Sequence, residues 1–240
     1  VWKKGGRFVD PFRPQIEPDG FASAEDLEAD RDAHLSYVRE IFLSSDWIVF
    51  TLGLTEAWES KLDGAIFPTA PGVAGGNFNP ELHTFKNFSI DEVRADLFEL
   101  IEEVAKVNPN LRFILTVSPV PLMATHENRH VWVSTSYSKA VLRVACEEAE
   151  HACKKVIYFP SYEIITSPAA GNSYYADDLR KVLDVGVQHV MRAFSAHFLP
   201  SSSQRLKSMF GEEIPSRSIN LKNDLICDEE VLKYIEPARQ

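Results

Sequence analysis

The sequence is poor in the features that announce the simplest functions. Its three cysteines, Cys146, Cys153 and Cys227, are too few, and odd in number, for a disulfide framework. Cys146 and Cys153 stand seven apart in a helical pattern. That sets both on one side of one helix as small apolar residues rather than metal ligands, and favours a reducing, cytoplasmic compartment. No apolar run reaches the ~18–20 residues of a membrane span, and no signal-like segment opens the chain. Positive charge is scarce: 25 Lys and Arg face 35 Asp and Glu, a net charge of -10. The acids are spread along the chain, which argues against nucleic acid or an anionic membrane as partner. There is no G-x-G-x-x-G and no G-x-x-x-x-G-K, hence no nucleotide fingerprint. The glycines of Ala74–Gly76 follow no strand and open no helix, so they read as a flexible loop. No His, Cys or Asp spacing suggests a metal site, and no metal or other cofactor is expected. Aromatics are not interleaved with basic residues as on a nucleic-acid platform.

What remains is an ordinary globular composition, long enough for one sizeable core. The opening segment, "VWKKGGRFVDPFRPQIEPDG", is Gly- and Pro-rich, lacks periodicity and reads as the middle of something, a fragment or a processed chain. "SAED" at Ser23–Asp26 is a capping-box pattern and opens a helix to about Leu43, with Leu27, Leu35, Val38 and Phe42 on its inner side. "DWIVFTLG" (Asp46–Gly53) is a continuous apolar run, the mark of a strand buried on both faces of a parallel sheet. A long excursion from Ala65 to Phe88 follows, too rich in Gly and Pro for helix or central strand, and loops of that length are usually functional or disordered. Ser89 and Glu92 form a second capping box, ahead of a stripe of Val93, Leu97, Leu100, Ile101 and Val104. "LRFILTVSP" (Leu111–Pro119) is a second strand, Tyr137 to Cys153 a third helix, and "KVIYFPS" (Lys155–Ser161) a third strand. A fourth helix runs after "YYADD". Residues 1–199 thus form one α/β domain. Residues 200–240 form a polar tail with a short helix near Asp228–Tyr234. Alternating strands and helices predict a parallel sheet, with ligands at the carboxyl ends of its strands. Three exits point there: Gly53–Glu56, Val117–Val120 and Pro160–Glu163.

The order and spacing of "TLGLTEAW", "NPNLRFILTVSPVPL", "YSKAVLR", "YFPSYEI" and "YYADD" resemble the GSCFA family of the SGNH (GDSL-like) hydrolase superfamily, from about Phe42 to Met191. The resemblance implies a flavodoxin-like three-layer α/β/α sandwich with a parallel sheet. It also implies a serine nucleophile that attacks an ester carbonyl, an oxyanion hole completed by a G-x-N-D motif, and an Asp-x-x-His base. The Gly-Ser-Cys-Phe-Ala block that names the family is absent from this sequence, so the serine and the first strands are expected upstream of Val1, leaving the domain N-terminally incomplete. Gly53-Leu54-Thr55-Glu56 stands where G-x-N-D would stand. Gly53 then offers an unobstructed N–H, Thr55 a hydroxyl, and Glu56 a group that orients a neighbour. Equally, Thr55 can cap a helix with Glu56 in its first turn.

"YYADDLRKV" matches the Tyr-x-x-Asp-x-x-His segment, placing Asp178 on the Asp and Lys181 where the histidine belongs. A protonated lysine cannot take a proton from serine unless burial depresses its pKa. Asp177 and Asp178 also suit a helix N-terminus. Among the seven histidines, His34, His151 and His197 read as surface residues. His126 and His130 lie in the loop after "SPVPL", and His189 lies inside the last helix. His83 is the best base candidate, because the family pattern has a histidine there, although a loop histidine is more often only hydrogen-bonded. Ser118 matches "VSP" and is expected to line the site, but it lacks the strand-to-helix elbow of a nucleophile. Tyr162 and Glu163 leave the third strand at the same edge. Two functions follow. One is an SGNH-type hydrolase or acyltransferase acting on O-acyl groups of a carbohydrate or similar small ester, inactive as this 240-residue chain alone. The other is a non-catalytic SGNH-like binding module. Nothing in the sequence sets the oligomeric state.

Overall fold

The structure, a computed structural model, describes residues 1–199. The expected tail and Cys227 lie outside the described residues. The chain divides into two compact units, residues 1–158 and the remainder from Phe159.

The first unit opens on a hairpin of β1 (Trp2–Lys4) and β2 (Arg7–Val9), paired antiparallel with Trp2 opposite Val9. Gly5 and Gly6 both have positive φ, at 53° and 84°, as a two-residue turn of the primed type requires. The opening segment, expected to be irregular, is thus a hairpin over residues 2–9 and carries no helix or strand over residues 10–20. Helix α1 (Ala24–Ser44) begins where Ser23 Oγ accepts the Asp26 N–H at 3.0 Å. Of its expected inner stripe only Leu27 is buried, and Leu35, Tyr37 and Ile41 are exposed.

A parallel sheet of β3 (Trp47–Leu52), β7 (Arg112–Val117) and β8 (Val156–Tyr158) follows in the order β3-β7-β8. Trp47 stands opposite Arg112, Leu52 opposite Val117 and Phe113 opposite Val156. Central β7 is buried from Phe113 to Val117. Strand β3 corrects the expectation of burial on both faces. It is an edge strand among the described residues, and Trp47 and Val49 remain 40% and 51% exposed. An apolar run alone does not separate an edge strand from a central one. Helix α2 (Ile90–Val107) has its full capping box: Ser89 Oγ accepts the Glu92 N–H, and the Glu92 carboxylate accepts the Ser89 N–H. Leu97, Ile101 and Val104 are its buried stripe. Beyond it, the Asn108 side-chain amide donates to the carbonyls of Phe42 and Ser45, which ties down the end of α1. Helix α3 (Val131–Ala152) starts six residues earlier than expected, with His130 Nδ1 accepting the Trp132 N–H at its cap. It lies against β7, β8 and α2. Cys146 is buried in it, whereas Cys153 is its half-exposed C-cap, so only the first matches the expectation.

The stretch from Ala65 to Phe88, expected as loop, contributes two strands to a second, antiparallel sheet. Here β4 (Glu56–Ser60) is flanked by β5 (Ile66–Phe67) and β6 (His83–Asn87). Trp58 stands opposite both Phe67 and Phe85. Trp2 packs on Phe67 with centroids 5.2 Å apart. Gly76, at φ +71°, admits this, since a Cβ there would sit 2.9 Å from Trp2 Cγ. Strands of two and five residues, broken by charge, carry little periodicity, and cross-strand aromatic contact supplies the stability that pattern does not reveal.

The second unit holds α4 (Ser161–Thr166), a 3₁₀ turn at Pro168–Ala170, and α5 (Asp184–Phe198). Phe159, Phe194 and Phe198 pack together, and Tyr174 Oη lies 2.7 Å from His189 Nδ1. No helix among the described residues is long and apolar enough to cross a membrane.

Candidate active site

Strand β3 stops at Leu52, the chain turns through Gly53 and Leu54, and β4 begins at Glu56. No helix follows, so the helix-cap alternative for Thr55 and Glu56 is corrected. The turn is instead held by two consecutive side chains of α3. Ser138 Oγ accepts the Thr55 N–H at 2.9 Å, and Lys139 Nζ donates to the Gly53 carbonyl at 2.8 Å. Thr55 is only 1% exposed. Its hydroxyl donates to Asn87 Oδ1 at 2.7 Å, and its carbonyl accepts the Phe88 N–H. The Asn87 amide in turn donates to Glu127 Oε1 at 3.2 Å. Both Thr55 donors are thus used inside the protein. Gly53 is exposed, and a Cβ built on it would meet no atom within 4 Å.

Lys139 is 2% exposed. Burial lowers its pKa from 10.5 to about 8, and no neighbouring carboxylate offsets that effect. Glu56 lies beside this turn. Its Oε1 accepts the Thr125 hydroxyl at 2.6 Å, and its Oε2 faces the His126 N–H at 3.4 Å. Thr125 Oγ1 is 3.0 Å from Ser134 Oγ, which also accepts from Arg129 Nε. Glu56 therefore folds the 125–129 loop onto the first turn of α3. Ser118 reaches the same end of the sheet, its N–H donating to the Leu52 carbonyl while its Oγ accepts the Val120 N–H.

The structure brings Gly53, Thr55, Glu56 and Ser118 to one end of β3 and β7. It does not bring His83 there. His83 is the first residue of β6, paired with Ser60, whereas Asn87, paired with Glu56, closes the strand at the Thr55 end. Four residues of strand separate the two, about 13 Å. His83 Nδ1 accepts the Asn79 N–H, and its ring stands beside Phe67 and Phe78. Asp178 belongs to the second unit and is exposed. One of its oxygens accepts the Lys181 and Arg180 N–H groups, both at 2.9 Å, around Leu179 at φ 52°. Those two bonds hold its carboxyl below the usual range. The Lys181 side chain is exposed, and Tyr162 and Glu163 lie in α4.

Sequence reasoning missed Ser138, Lys139, Asn87 and the Thr125–Ser134 pair. For Lys139 a signal existed. It falls on the side of α3 that carries Leu142, Cys146 and Ala149, and a lysine inside an apolar stripe is almost never buried without a task. Asn87 and Thr125 gave none, because strand β6 and the fold of the 125–129 loop were themselves unforeseen. Ser138→Ala should lower stability by about 1–3 kcal/mol, since it leaves the buried Thr55 N–H without an acceptor. Urea unfolding followed by tryptophan fluorescence checks this.

The GSCFA family model matches residues 2–194. The chain belongs to the GSCFA family. No curated protein and no solved structure matches it. The match covers the parallel sheet, the antiparallel sheet and α5, so the turn at Gly53–Thr55 and the side chains that hold it are part of the GSCFA domain itself.

Proposed function

We propose that this GSCFA domain belongs to an SGNH-type hydrolase or acyltransferase acting on ester bonds, with O-acyl groups of a carbohydrate as substrate class. The observation that carries the reading is the turn at the carboxyl end of β3. Gly53 stands in open space while Lys139 fixes its carbonyl and Ser138 fixes the Thr55 N–H two residues on. A backbone N–H held in advance at a developing oxyanion is worth about 3–4 kcal/mol in acyl transfer. In this reading Gly53 donates to the oxyanion. Thr55, whose donors are spent internally, fixes the turn. Glu56 holds the 125–129 loop beside it, and Ser118 lines the same edge.

The nucleophile comes from a further strand. The outer edge of β3 is unpaired among the described residues, and an apolar edge of this kind accepts another strand. Such a strand would complete a flavodoxin-like three-layer sandwich and bring a serine to the Gly53 end. The base candidates are those of the family pattern, His83 with Asp178, and His83 would have to leave its place about 13 Å along β6 from the Thr55 end. The second reading, a binding module without catalysis, draws on Lys181. It stands exposed where the family pattern has histidine, and the Asp178 carboxylate is spent on its own turn.

Fluorophosphonate labelling, with the modified peptide located by mass spectrometry, separates the two. A protein in which the β3 edge is paired should carry the label on a serine of that added strand, outside these 240 residues, and the 240-residue chain alone should not react. A folded protein with its β3 edge paired and no label would favour the binding module. A label on Ser118 would sink the placement of the nucleophile.

A further inference from the structure

The amino ends of the parallel strands, some 20 Å of strand away from Gly53, carry a second feature that the ester-hydrolase reading does not use. Because β3, β7 and β8 run parallel and in register, the residues that open them meet at one edge. There a cavity of about 420 Å³ is lined by Trp47, Asn110, Arg112, Lys154, Lys155 and Ile157. That volume lies within the range of small-molecule sites. Arg112 is distant in sequence from the adjacent pair Lys154–Lys155, and the fold gathers all three.

They are among the basic residues that lack a carboxylate partner, as are Lys4, Arg7 and Lys61, which bond to backbone carbonyls. The chain carries a net charge of -10, and Arg13, Arg31, Lys86, Arg94, Lys106 and Arg143 each have a carboxylate partner. No carboxylate among the described residues pairs with Arg112, Lys154 or Lys155. Asp46, the acid next to Trp47, forms no ion pair with them either. Lys155 Nζ has only the Pro109 carbonyl, and the Arg112 guanidinium rests 5.2 Å from the centre of the Trp47 ring. A guanidinium stacked on an indole keeps its edge donors for an oxyanion, and the half-exposed indole offers a flat apolar wall beside them. The lysine stems also border an adjoining apolar cavity of about 280 Å³ lined by Ile101, Leu111 and Phe113.

We propose that this cavity binds a small organic phosphate bearing a flat ring, its phosphate held by Arg112, Lys154 and Lys155 and its ring against Trp47. Three cations match a dianion better than a single carboxylate. Ring and phosphate together use both chemistries of the cavity. The site is independent of the Gly53 edge.

Phenyl phosphate titrated into the 240-residue chain, followed by the indole N–H resonance of Trp47, tests this, with Trp47→Phe used to identify that resonance. The expected result is a saturable shift that weakens at high salt. Inorganic phosphate and benzyl alcohol should each bind about tenfold more weakly than phenyl phosphate, as should the R112Q/K154Q/K155Q variant with the intact ligand. All three positions are exposed, and the single changes Lys154→Gln and Lys155→Gln serve if the triple variant does not fold. No shift at Trp47, equal affinity in the variants, or equal binding of inorganic phosphate would each overturn the proposal.

Discussion

The native chain should gain stability on the alkaline side of neutrality, and replacing Lys139 by Met should abolish that rise. Its ammonium is buried with the Gly53 carbonyl as partner, and burial holds its pKa at about 8 instead of 10.5. Below pH 8 the lysine is charged in both folded and unfolded chains, and the folded state bears the full cost of burying that charge. Between pH 8 and 10.5 the unfolded chain binds the proton and the folded chain releases it, so stability rises with pH. At about 1.4 kcal/mol per pH unit the whole rise is about 3 kcal/mol. Methionine has similar length and no charge, so Lys139→Met should be flat over this interval, apart from background shared with the native chain. Urea unfolding at pH 7 and pH 10 measures it, with Trp2, Trp47, Trp58 and Trp132, all in the first unit, as reporters. A native profile no steeper than that of Lys139→Met would show that the amine is solvated. Because the methionine leaves the Gly53 carbonyl without its donor, the same variant should loosen the turn. Hydrogen exchange across residues 52–56 should rise while that of central β7 does not.

The two α3 side chains at this turn show where sequence pattern stops. The capping box at Ser89, the stripe of Leu97, Ile101 and Val104, and the β7 strand could be read directly, because each is a local rule executed locally. The resemblance, from about Phe42 to Met191, lies within the family match, which also takes in the opening hairpin and α1. What could not be read depends on distance. Thr55 and Ser138 are 83 residues apart, and Gly53 and Lys139 are 86 apart, so even where the stripe hints that Lys139 is buried, its partner at a strand end exists only once α3 is docked. The same holds for β3. Its composition suits a buried strand, and its edge position is a property of its neighbours. The antiparallel sheet escaped notice because β5 has two residues and β4, Glu-Ala-Trp-Glu-Ser, shows no apolar alternation beyond one large aromatic.

The aromatic layer of that sheet makes a second large effect predictable at Asp10. Trp2 covers Phe67, which also faces Phe12 and His83, so the N-terminal hairpin is a wall of the segment that contains His83. One carboxylate fixes the hairpin. The Asp10 side chain is fully buried and accepts from the Phe12 N–H at 3.0 Å, from Arg13 at 3.0 Å, and from both Nε and Nη2 of Arg31, on α1, at 3.2 and 2.8 Å. Burial pushes its pKa up. The bonds from Arg31, Phe12 and Arg13, with the Arg31 charge, outweigh that and hold it below 3.8. Its contribution is therefore complete above the unfolded carboxyl range and is lost as pH falls through the depressed value. Asp10→Asn keeps the shape but removes the charge, leaving the partly buried Arg31 guanidinium facing an amide while Arg13 keeps Asp30 at 2.7 Å. Breaking one partner of such a pair costs about 3–5 kcal/mol. The loss should be local first. Hydrogen exchange of residues 1–31 and of β5 should accelerate before that of β7, and the acid-induced part of the native profile should be missing from the variant. Should Asp10→Asn instead leave the hairpin as protected as before, the anchor would lie in the Trp2–Phe67 packing. In that case Trp2→Ala would release the segment.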